Sequence, residues 1–324
     1  MEKSTLIIDH LIEQIDSKTS PIVVGLDPLI QQIPDFIKQQ ALKDFGNTLQ
    51  GAAEAIFIFN KALLEEIHLL VPAVKLQMAC YELYGSWGIE IFYRTVKLAR
   101  QFGLIVIDDS KRSDIGSSAK LYAINHLGNA PLIEGVDNTE KADFVTINPY
   151  LGSDSIDPFI DICRQHDKGL FILVRTSNPS AGDYQEALVG NMPLYQKIAE
   201  DIQVLSRNYK GSRDFSPIGA VVGATWPDET EKLRNIMPNV YFLMPGFGAQ
   251  GATSDQVVTA FDKNGYGAII NSSRGIIFAY QSPRYQSQFP SQEQYAKASA
   301  QAVKNMRDEL LRSLSQAGKL PGNW

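Results

Sequence analysis

The sequence predicts an α/β protein in which eight parallel strands alternate with helices and close into a (β/α)8 TIM barrel, as a single domain over residues 1–324. Short apolar, β-branched runs recur eight times along the chain, with helical stretches between them. These runs are apolar nearly throughout, which is typical of strands buried on both faces of a parallel sheet. The length of 324 residues suits a barrel of about 250 residues that carries extended loops.

The predicted strands follow one another at intervals that leave room for a helix between them. In chain order they are residues 21–27, 73–77, 104–109, 142–148, 169–176, 218–225, 240–246 and 267–273. Apolar residues at helical spacing predict helices over 47–70, 87–101 and 296–316. Three long connections are expected to be extended loops on the barrel rather than separate domains: 28–72, 110–141 and 177–217.

Composition excludes several classes of protein. The formal net charge is −6 and the Lys and Arg residues are spread along the chain, so no nucleic-acid or membrane surface is expected. The first residues have neither the apolar core of a signal peptide nor a span of about 20 apolar residues. Cys80 and Cys163 lie in no metal-binding or redox spacing, and a cytoplasmic location is therefore expected.

Charged side chains gather at the end of the third predicted strand. Asp109 and Lys111 are two residues apart, so on an extended chain they point the same way. Asp114 follows where the strand is expected to have ended, and Lys75 lies at the end of the second strand. Carboxylates and ammonium groups crowded in this way hold charges that a lone side chain could not. Taken alone, the pattern is also typical of a solvated turn with an incidental ion pair.

Two motifs predict a phosphate site. A glycine-rich run, 245–251, follows the seventh strand and includes Gly248 and Gln250, and its backbone N–H groups can approach an anion. Arg274 follows the eighth strand, and an Arg guanidinium suits phosphate oxygens. The loops after strands seven and eight are the usual phosphate site of a barrel.

The histidines and the aspartates narrow the chemistry further. His10, His68, His126 and His166 are interpreted as surface or packing residues, since none falls at the end of a predicted strand. Proton transfer is therefore expected from a lysine or a carboxylate. No metal is expected between the two aspartates of the third strand end, because Lys111 already neutralises their charge.

At this point the residues resemble the orotidine 5′-phosphate decarboxylase family. The motifs that carry the resemblance occur in the family's order and reach from strand one to strand eight: Val24-Gly-Leu-Asp27-Pro28, Lys75, Asp109-x-Lys111-x-x-Asp114, Pro245-Gly-x-Gly-Ala-Gln-Gly251 and Ser273-Arg274. Two further stretches are similar to markers of the longer bacterial subgroup with extended loops: Asn148-Pro-Tyr-Leu-Gly152 and Arg175-Thr-Ser-Asn-Pro179.

The resemblance implies decarboxylation of orotidine 5′-monophosphate to uridine 5′-monophosphate in de novo pyrimidine biosynthesis, with no cofactor and no metal. It implies a catalytic tetrad of Lys75, Asp109, Lys111 and Asp114, in which Lys111 protonates C6 of the pyrimidine. It also implies a homodimer in which Asp114 reaches the neighbouring subunit's site. The implied substrate ligands are Asp27 for the ribose, Ser177 for the pyrimidine, Gly248, Gln250 and Arg274 at the phosphate, and Ser118, a hydroxyl where the family often has Thr.

Three alternatives remain open at the level of sequence. A metal-dependent decarboxylase or aldolase on this barrel would need a carboxylate at the end of strand two, where this chain has Lys75. An aldolase could instead form a Schiff base through Lys75 or Lys111. A catalytically silent phosphate-binding barrel is disfavoured by the intact Asp109, Lys111 and Asp114.

Overall fold

Eight parallel strands close into a barrel in the computed structural model, which describes residues 5–248 and 251–324. The strands are β1 Ile22–Leu26, β2 Ala73–Gln77, β3 Ile105–Arg112, β4 Phe144–Ile147, β5 Gly169–Arg175, β6 Ser216–Val222, β7 Val240–Met244 and β8 Ala268–Ser272. Each strand pairs with its neighbours in chain order, and β8 pairs with β1 to close the barrel. The predicted (β/α)8 fold is confirmed.

Nine helices of eight or more residues lie among the described residues. They are Ile7–Lys18, Asp35–Phe45, Leu49–Ile67, Gly85–Gln101, Gly116–Leu127, Ser153–His166, Leu194–Ser206, Pro227–Ile236 and Tyr295–Gln316. The connection 28–72 is therefore largely helical, and 177–217 holds a long helix after a short antiparallel hairpin, Leu188–Val189 with Met192–Pro193. Within the described ranges, no helix is both long enough and apolar enough to cross a membrane.

The barrel has an inner and an outer apolar cluster because successive strand residues point to opposite faces. Along β3, Ile105 and Ile107 belong to the inner cluster and Val106 to the outer one. The same alternation directs Asp109 into the barrel and Asp108 outward, toward the helices. One strand thus supplies both a site residue and a residue that contacts the surrounding shell.

The two ends of the barrel differ. The helix Ile7–Lys18 packs Ile8, Leu11 and Ile12 onto the inner cluster and closes the end at which the strands begin. The opposite end, where the strands finish, carries the polar side chains and remains open. Barrel enzymes place their chemistry at this end.

Strand β3 is longer than predicted and is bulged. It runs to Arg112 rather than ending at Asp109, and its pairing with β4 shifts between Asp108 and Arg112. Lys111 has a φ of 49°, in the left-handed region that non-glycine residues rarely adopt. The side chains of Asp109 and Lys111 meet as expected, with Lys111 Nζ 2.6 Å from Asp109 Oδ1, although the backbone at Lys111 is not regularly extended.

Candidate active site

A pocket of about 410 Å³ opens at the carboxyl end of the barrel. Its lining draws on strands and loops all around the barrel: Asp27, Lys75, Gln77, Asp109, Lys111, Leu173, Thr176, Ser177, Asn178, Val221, Leu243, Pro245, Gly246, Phe247, Asn271, Ser272, Ser273 and Arg274. The volume and the mixture of apolar walls with a few convergent polar groups suit a small-molecule ligand. Six of the ten residues expected from the sequence line this pocket.

Four charged side chains of the pocket form a continuous chain. Lys75 Nζ lies 3.1 Å from Asp27 Oδ1 and 2.8 Å from Asp109 Oδ2. Lys111 Nζ lies 2.6 Å from Asp109 Oδ1. Asp109 is thus shared by two ammonium groups, one on each carboxylate oxygen. Opposite charges alternate along the row, so each charged group has a partner of opposite sign.

Burial and ion pairing shift the pKa values of Lys75 and Asp109, the two buried members of this row, in opposite directions. Lys75 is 3% exposed, and burial alone would lower its pKa, but the carboxylates of Asp109 and Asp27 outweigh burial and hold the pKa above its ordinary value. Burial would raise the pKa of Asp109, but Lys75 and Lys111 outweigh it and hold that pKa well below the usual range. The site therefore keeps a carboxylate between two ammonium groups near neutral pH.

Thr146 of β4 fixes the backbone and the carboxylate of this cluster. Its hydroxyl donates to Asp109 Oδ1 at 2.9 Å and accepts from the backbone N–H of Lys111 at 2.9 Å. The bulge between Asp108 and Arg112 is thus tied to the neighbouring strand at its centre. Lys111 itself is more open than Lys75, with 42% of its side chain exposed, so its ammonium can meet a ligand.

The other side of the pocket is built from the ends of β5 and β8. Ser177 is half-buried, and Arg274 is exposed at the pocket rim. Close backbone approaches set this geometry. A Cβ added at Gly223 would lie 2.8 Å from Ser177 N, and one at Gly25 would lie 1.9 Å from Ser273 Oγ. Glycine is required at both positions because neighbouring segments occupy the space of a side chain.

Three of the described residues expected at the site are not part of this pocket lining. Asp114 is half-buried in the loop after β3, and its Oδ1 accepts from the N–H of Ile115 at 2.8 Å. Ser118 is exposed on the helix Gly116–Leu127, and Gly248 is exposed in the loop after β7. Gln250 lies outside the described residues.

The sequence prediction missed two polar side chains, Asn271 and Thr146. Asn271 lines the pocket, as does Gln77 at the end of β2, and Thr146 donates a hydrogen bond to Asp109. Asn271 is 6% exposed, and its Oδ1 has no hydrogen-bond partner among the described residues. The signal was the inward period of two, since Asn271 follows inward-facing Ile269 by two residues.

His126 was interpreted as a surface or packing residue, and in the structure it is buried. Its side chain is 2% exposed, and its Nδ1 lies 2.6 Å from Oδ2 of buried Asp108. Helical periodicity places His126 on a helix, but it gives no information about the strand residue that faces it. Within residues 5–248 and 251–324, no group of three or more His, Cys, Asp or Glu side chains is arranged to hold a metal ion.

Comparison with known proteins identifies a family. Residues 21–288 match the model of the orotidine 5′-phosphate decarboxylase / HUMPS family. An orotidine 5′-phosphate decarboxylase of Caldicellulosiruptor bescii is 35% identical over 307 residues, covering 95% of this chain and 98% of that protein. The enzyme of the same name from Rhodopirellula baltica is 40% identical over 257 residues, covering 79% and 83%. The structure of Leishmania donovani OMP decarboxylase has a TM-score of 0.67 at 29% identity and covers 94% of this chain and 99% of that one.

Proposed function

The chain belongs to the orotidine 5′-phosphate decarboxylase family, and we propose that it converts orotidine 5′-monophosphate to uridine 5′-monophosphate and CO2 in pyrimidine biosynthesis. One observation carries the proposal. The pocket is lined both by a row of alternating charges, Asp27, Lys75, Asp109 and Lys111, and by the cationic side chain of Arg274 at its rim. A ligand with a reacting group at one end and a phosphate at the other matches that arrangement.

The reaction needs stabilisation of a carbanion. When the bond between C6 and the carboxylate breaks, CO2 leaves and the electron pair stays on C6, which has no adjacent π-acceptor. We assign to the Lys111 ammonium the stabilisation of this charge, followed by transfer of its proton to C6. Asp109, ionised beside the substrate carboxylate, favours its departure by like-charge repulsion. Lys75 keeps Asp109 ionised, and the Lys111 amine then regains a proton from water.

The remaining contacts hold the nucleotide. Asp27 is assigned to the ribose hydroxyls, Ser177 to the pyrimidine ring, and Arg274 to the phosphate. Gly248 and Gln250 belong to the loop that we also assign to the phosphate. The phosphate lies far from C6, so its binding free energy can order the loops around the reacting end. The proposal needs neither an organic cofactor nor a metal.

The protein is further proposed to act as a homodimer in which Asp114 completes the partner's site. Asp114 does not line its own chain's pocket, although it lies three residues after Lys111. The segments that follow β3 and β4, the first of which contains Asp114, carry large exposed apolar side chains: Ile115, Leu121, Tyr122, Leu132, Ile133, Val136, Tyr150 and Leu151. An apolar surface of this kind is typical of a protein–protein contact. Ser118, on the helix Gly116–Leu127 that follows Asp114, would then act beside Asp114 at the interface.

A cytoplasmic location is part of the proposal. Cys80 is half-buried and Cys163 is buried, and neither forms a disulfide. Burial raises the pKa of the Cys80 thiol to about 11. A thiol of this kind is unreactive at neutral pH, as expected of structural cysteines in a reducing compartment.

The deciding experiment follows the absorbance of orotidine 5′-monophosphate with purified protein, with and without a chelator. Loss of absorbance in both conditions, with release of CO2, supports the proposal. The control variant is Lys97→Ala, which removes an exposed ammonium from the helix Gly85–Gln101 and should turn over like the wild type. Activity only without chelator would favour a metal-dependent enzyme, and trapping of substrate by borohydride would favour a Schiff-base aldolase. Absence of turnover under all conditions would favour a catalytically silent phosphate-binding barrel.

A further inference from the structure

A polar network lies directly behind the bulge of β3, on the side away from the pocket. Asp108 and Arg112 are the two residues at which the pairing with β4 shifts, so they mark the two ends of the bulge. Both side chains converge on His126 of the helix Gly116–Leu127. Asp108 Oδ2 lies 2.6 Å from Nδ1, and Arg112 Nε donates to Nε2 at 3.3 Å. One imidazole therefore bridges both ends of the bulge that carries Lys111.

The two contacts define the state of the ring. Nε2 must keep its lone pair to accept from the Arg112 guanidinium, so the proton sits on Nδ1 and is donated to Asp108. Only the neutral tautomer with Nδ1–H satisfies both partners. Tyr122, one turn earlier on the helix, stacks on the ring with centroids 6.4 Å apart. Glu82 accepts from Arg112 on its outer side. The two hydrogen bonds and the stacking of Tyr122 therefore hold the imidazole of His126 in one orientation.

The bulge requires such support because its backbone is strained. Lys111 adopts a φ of 49°, and left-handed geometry at a non-glycine residue persists only where the surroundings enforce it. Thr146 holds the centre of the bulge through the N–H of Lys111. Asp108 and Arg112 stand at its two ends. The backbone carbonyl of Arg112 accepts from the N–H of Asn148, and the side chains of Asp108 and Arg112 share His126 as a hydrogen-bonding partner.

We propose that His126 is a positioning residue for Lys111. It forms hydrogen bonds with the residues at both ends of the β3 bulge and so fixes the position of the Lys111 ammonium relative to C6 of the substrate. His126 touches neither substrate nor reacting atoms, since it lies on the outer face of the strand. This inference rests on the role proposed above for Lys111. It assigns to Asp108 and Arg112, which do not line the pocket, an indirect part in the rate of the chemical step.

The test separates the two hydrogen bonds of the ring. His126→Asn keeps a donor where Nδ1 stands, His126→Gln keeps an acceptor where Nε2 stands, and His126→Leu keeps neither. A misplacement of about 1 Å at a reacting group costs about 100-fold in rate. We therefore expect kcat to fall about 100-fold in the Leu variant and about tenfold in the Asn and Gln variants. The KM for substrate and the Kd for uridine 5′-monophosphate should stay within about twofold, because binding of the phosphate end does not depend on the bulge.

The matched control is His68→Leu. His68 directly follows the helix Leu49–Ile67 and is half-buried, and like His126 it stacks on an aromatic ring, with its centroid 4.6 Å from that of Phe102. Its Nδ1 bonds to the backbone carbonyls of Leu64 and Glu65 and not to a residue of the bulge. The His68→Leu variant should be less stable than the wild type but should keep its kcat. Arg112→Met is a second probe that keeps the test decisive if His126→Leu fails to fold, because 26% of the Arg112 side chain is exposed. It should lower kcat about tenfold at unchanged KM.

Two results would overturn the inference. One is a kcat within twofold of wild type in the Asn, Gln and Arg112→Met variants, and the other is a loss that lies wholly in KM. If the wild type itself does not decarboxylate the substrate, the proposed function fails, and crystal structures of the variants decide the inference alone. A Lys111 that keeps its positive φ and its 2.6 Å contact with Asp109 in those variants would contradict it, and a displaced Lys111 would support it.

Discussion

At the scale of single residues, Asp109 is the organising group of the site. It accepts from Lys75, Lys111 and Thr146 at once, so its position depends on three elements of the barrel. A buried carboxylate with one cationic partner would balance one charge. Asp109 has two cationic partners, Lys75 and Lys111. The ammonium of Lys111 is partly exposed and can therefore also contact a substrate. The sharing of one carboxylate by two lysines thus prepares a proton donor without leaving a buried charge unpaired.

Substitution of Lys111 tests this arrangement. We expect Lys111→Ala to reduce kcat by at least about 100-fold, the lower range of general-acid contributions, because the neighbouring ammonium of Lys75 is held between Asp27 and Asp109. Lys75 and Asp109 should remain paired, so uridine 5′-monophosphate should still bind measurably. Steady-state kinetics and calorimetric titration of the product measure the two quantities. A variant as active as the wild type would remove Lys111 from the mechanism.

Arg274 can be tested with two substrates that differ only in the phosphate. A hydrogen bond to a charged group contributes about 1.5–3 kcal/mol, so Arg274→Ala should weaken binding of orotidine 5′-monophosphate about 10–100-fold. Turnover of free orotidine, a poor substrate without the phosphate, should barely change. Arg307→Ala on the C-terminal helix serves as the control and should affect neither. Equal damage to both substrates by Arg274→Ala would show that Arg274 is not a phosphate ligand.

At the scale of elements, one carboxylate joins the first helix to the barrel. Asp9 Oδ1 accepts from the backbone N–H and the hydroxyl of Ser212, each at 2.8 Å, and Asp9 Oδ2 accepts from the N–H of Leu6 at 3.1 Å. Burial would raise the pKa of Asp9, but these hydrogen bonds outweigh it and lower the pKa. The helix that closes the bottom of the barrel is thus held to the loop before β6 by an ionised group.

The pH dependence of stability follows from that lowered pKa. The unfolded carboxyl has a pKa of about 3.9, so the stabilisation is fully present above that pH and is lost as the pH falls through the lower folded value. Asp9→Asn should therefore lower the free energy of unfolding by about 1–3 kcal/mol at pH 7, and the difference should shrink at more acidic pH, below the unfolded pKa. Urea unfolding followed by circular dichroism measures both. Glu13→Gln, exposed on the same helix, should change neither, and a difference for Asp9→Asn that persists in acid would contradict the assignment.

The same scale shows how far sequence patterns reach. The apolar runs located every barrel strand, since burial on both faces leaves a signal in each run by itself. The bulge of β3 left no such signal, because the positive φ of Lys111 is imposed by a hydroxyl on β4 and by a helix beyond it. The pairing of Asp108 with His126 was hidden for the same reason. Strand periodicity predicts which way a side chain points, but it does not predict which residue of another element it meets.

At the scale of the whole molecule, the barrel gathers residues that are distant in the chain at one end. Asp27 and Arg274 are separated by most of the sequence and line one pocket, because β1 pairs with β8. Asp114 is close to Lys111 in sequence but does not line that pocket. A single domain over residues 1–324 stays a prediction. If the proposed homodimer forms, a complete site would need Asp109 and Lys111 from one chain and Asp114 from the other.

Mixing two inactive variants tests this division of the site. In a hybrid of Lys111→Ala with Asp114→Ala, one site carries both defects and the other carries neither. Random exchange makes about half of the dimers hybrids, each with one intact site of two, so activity should recover to about a quarter of the wild-type value by the two-fold symmetry of the interface. Exchange is followed by native mass spectrometry of a tagged subunit.

The matched control mixes Lys111→Ala with Asp109→Ala. Both residues belong to the same chain's charge row, joined by the 2.6 Å contact of Lys111 Nζ with Asp109 Oδ1, so every site in every hybrid lacks one of them. No activity should return in this mixture, although the subunits exchange equally well. Recovery in the first mixture alone locates Asp114 across the interface. Absence of recovery in both, with exchange demonstrated, would mean that each chain builds its site from its own residues.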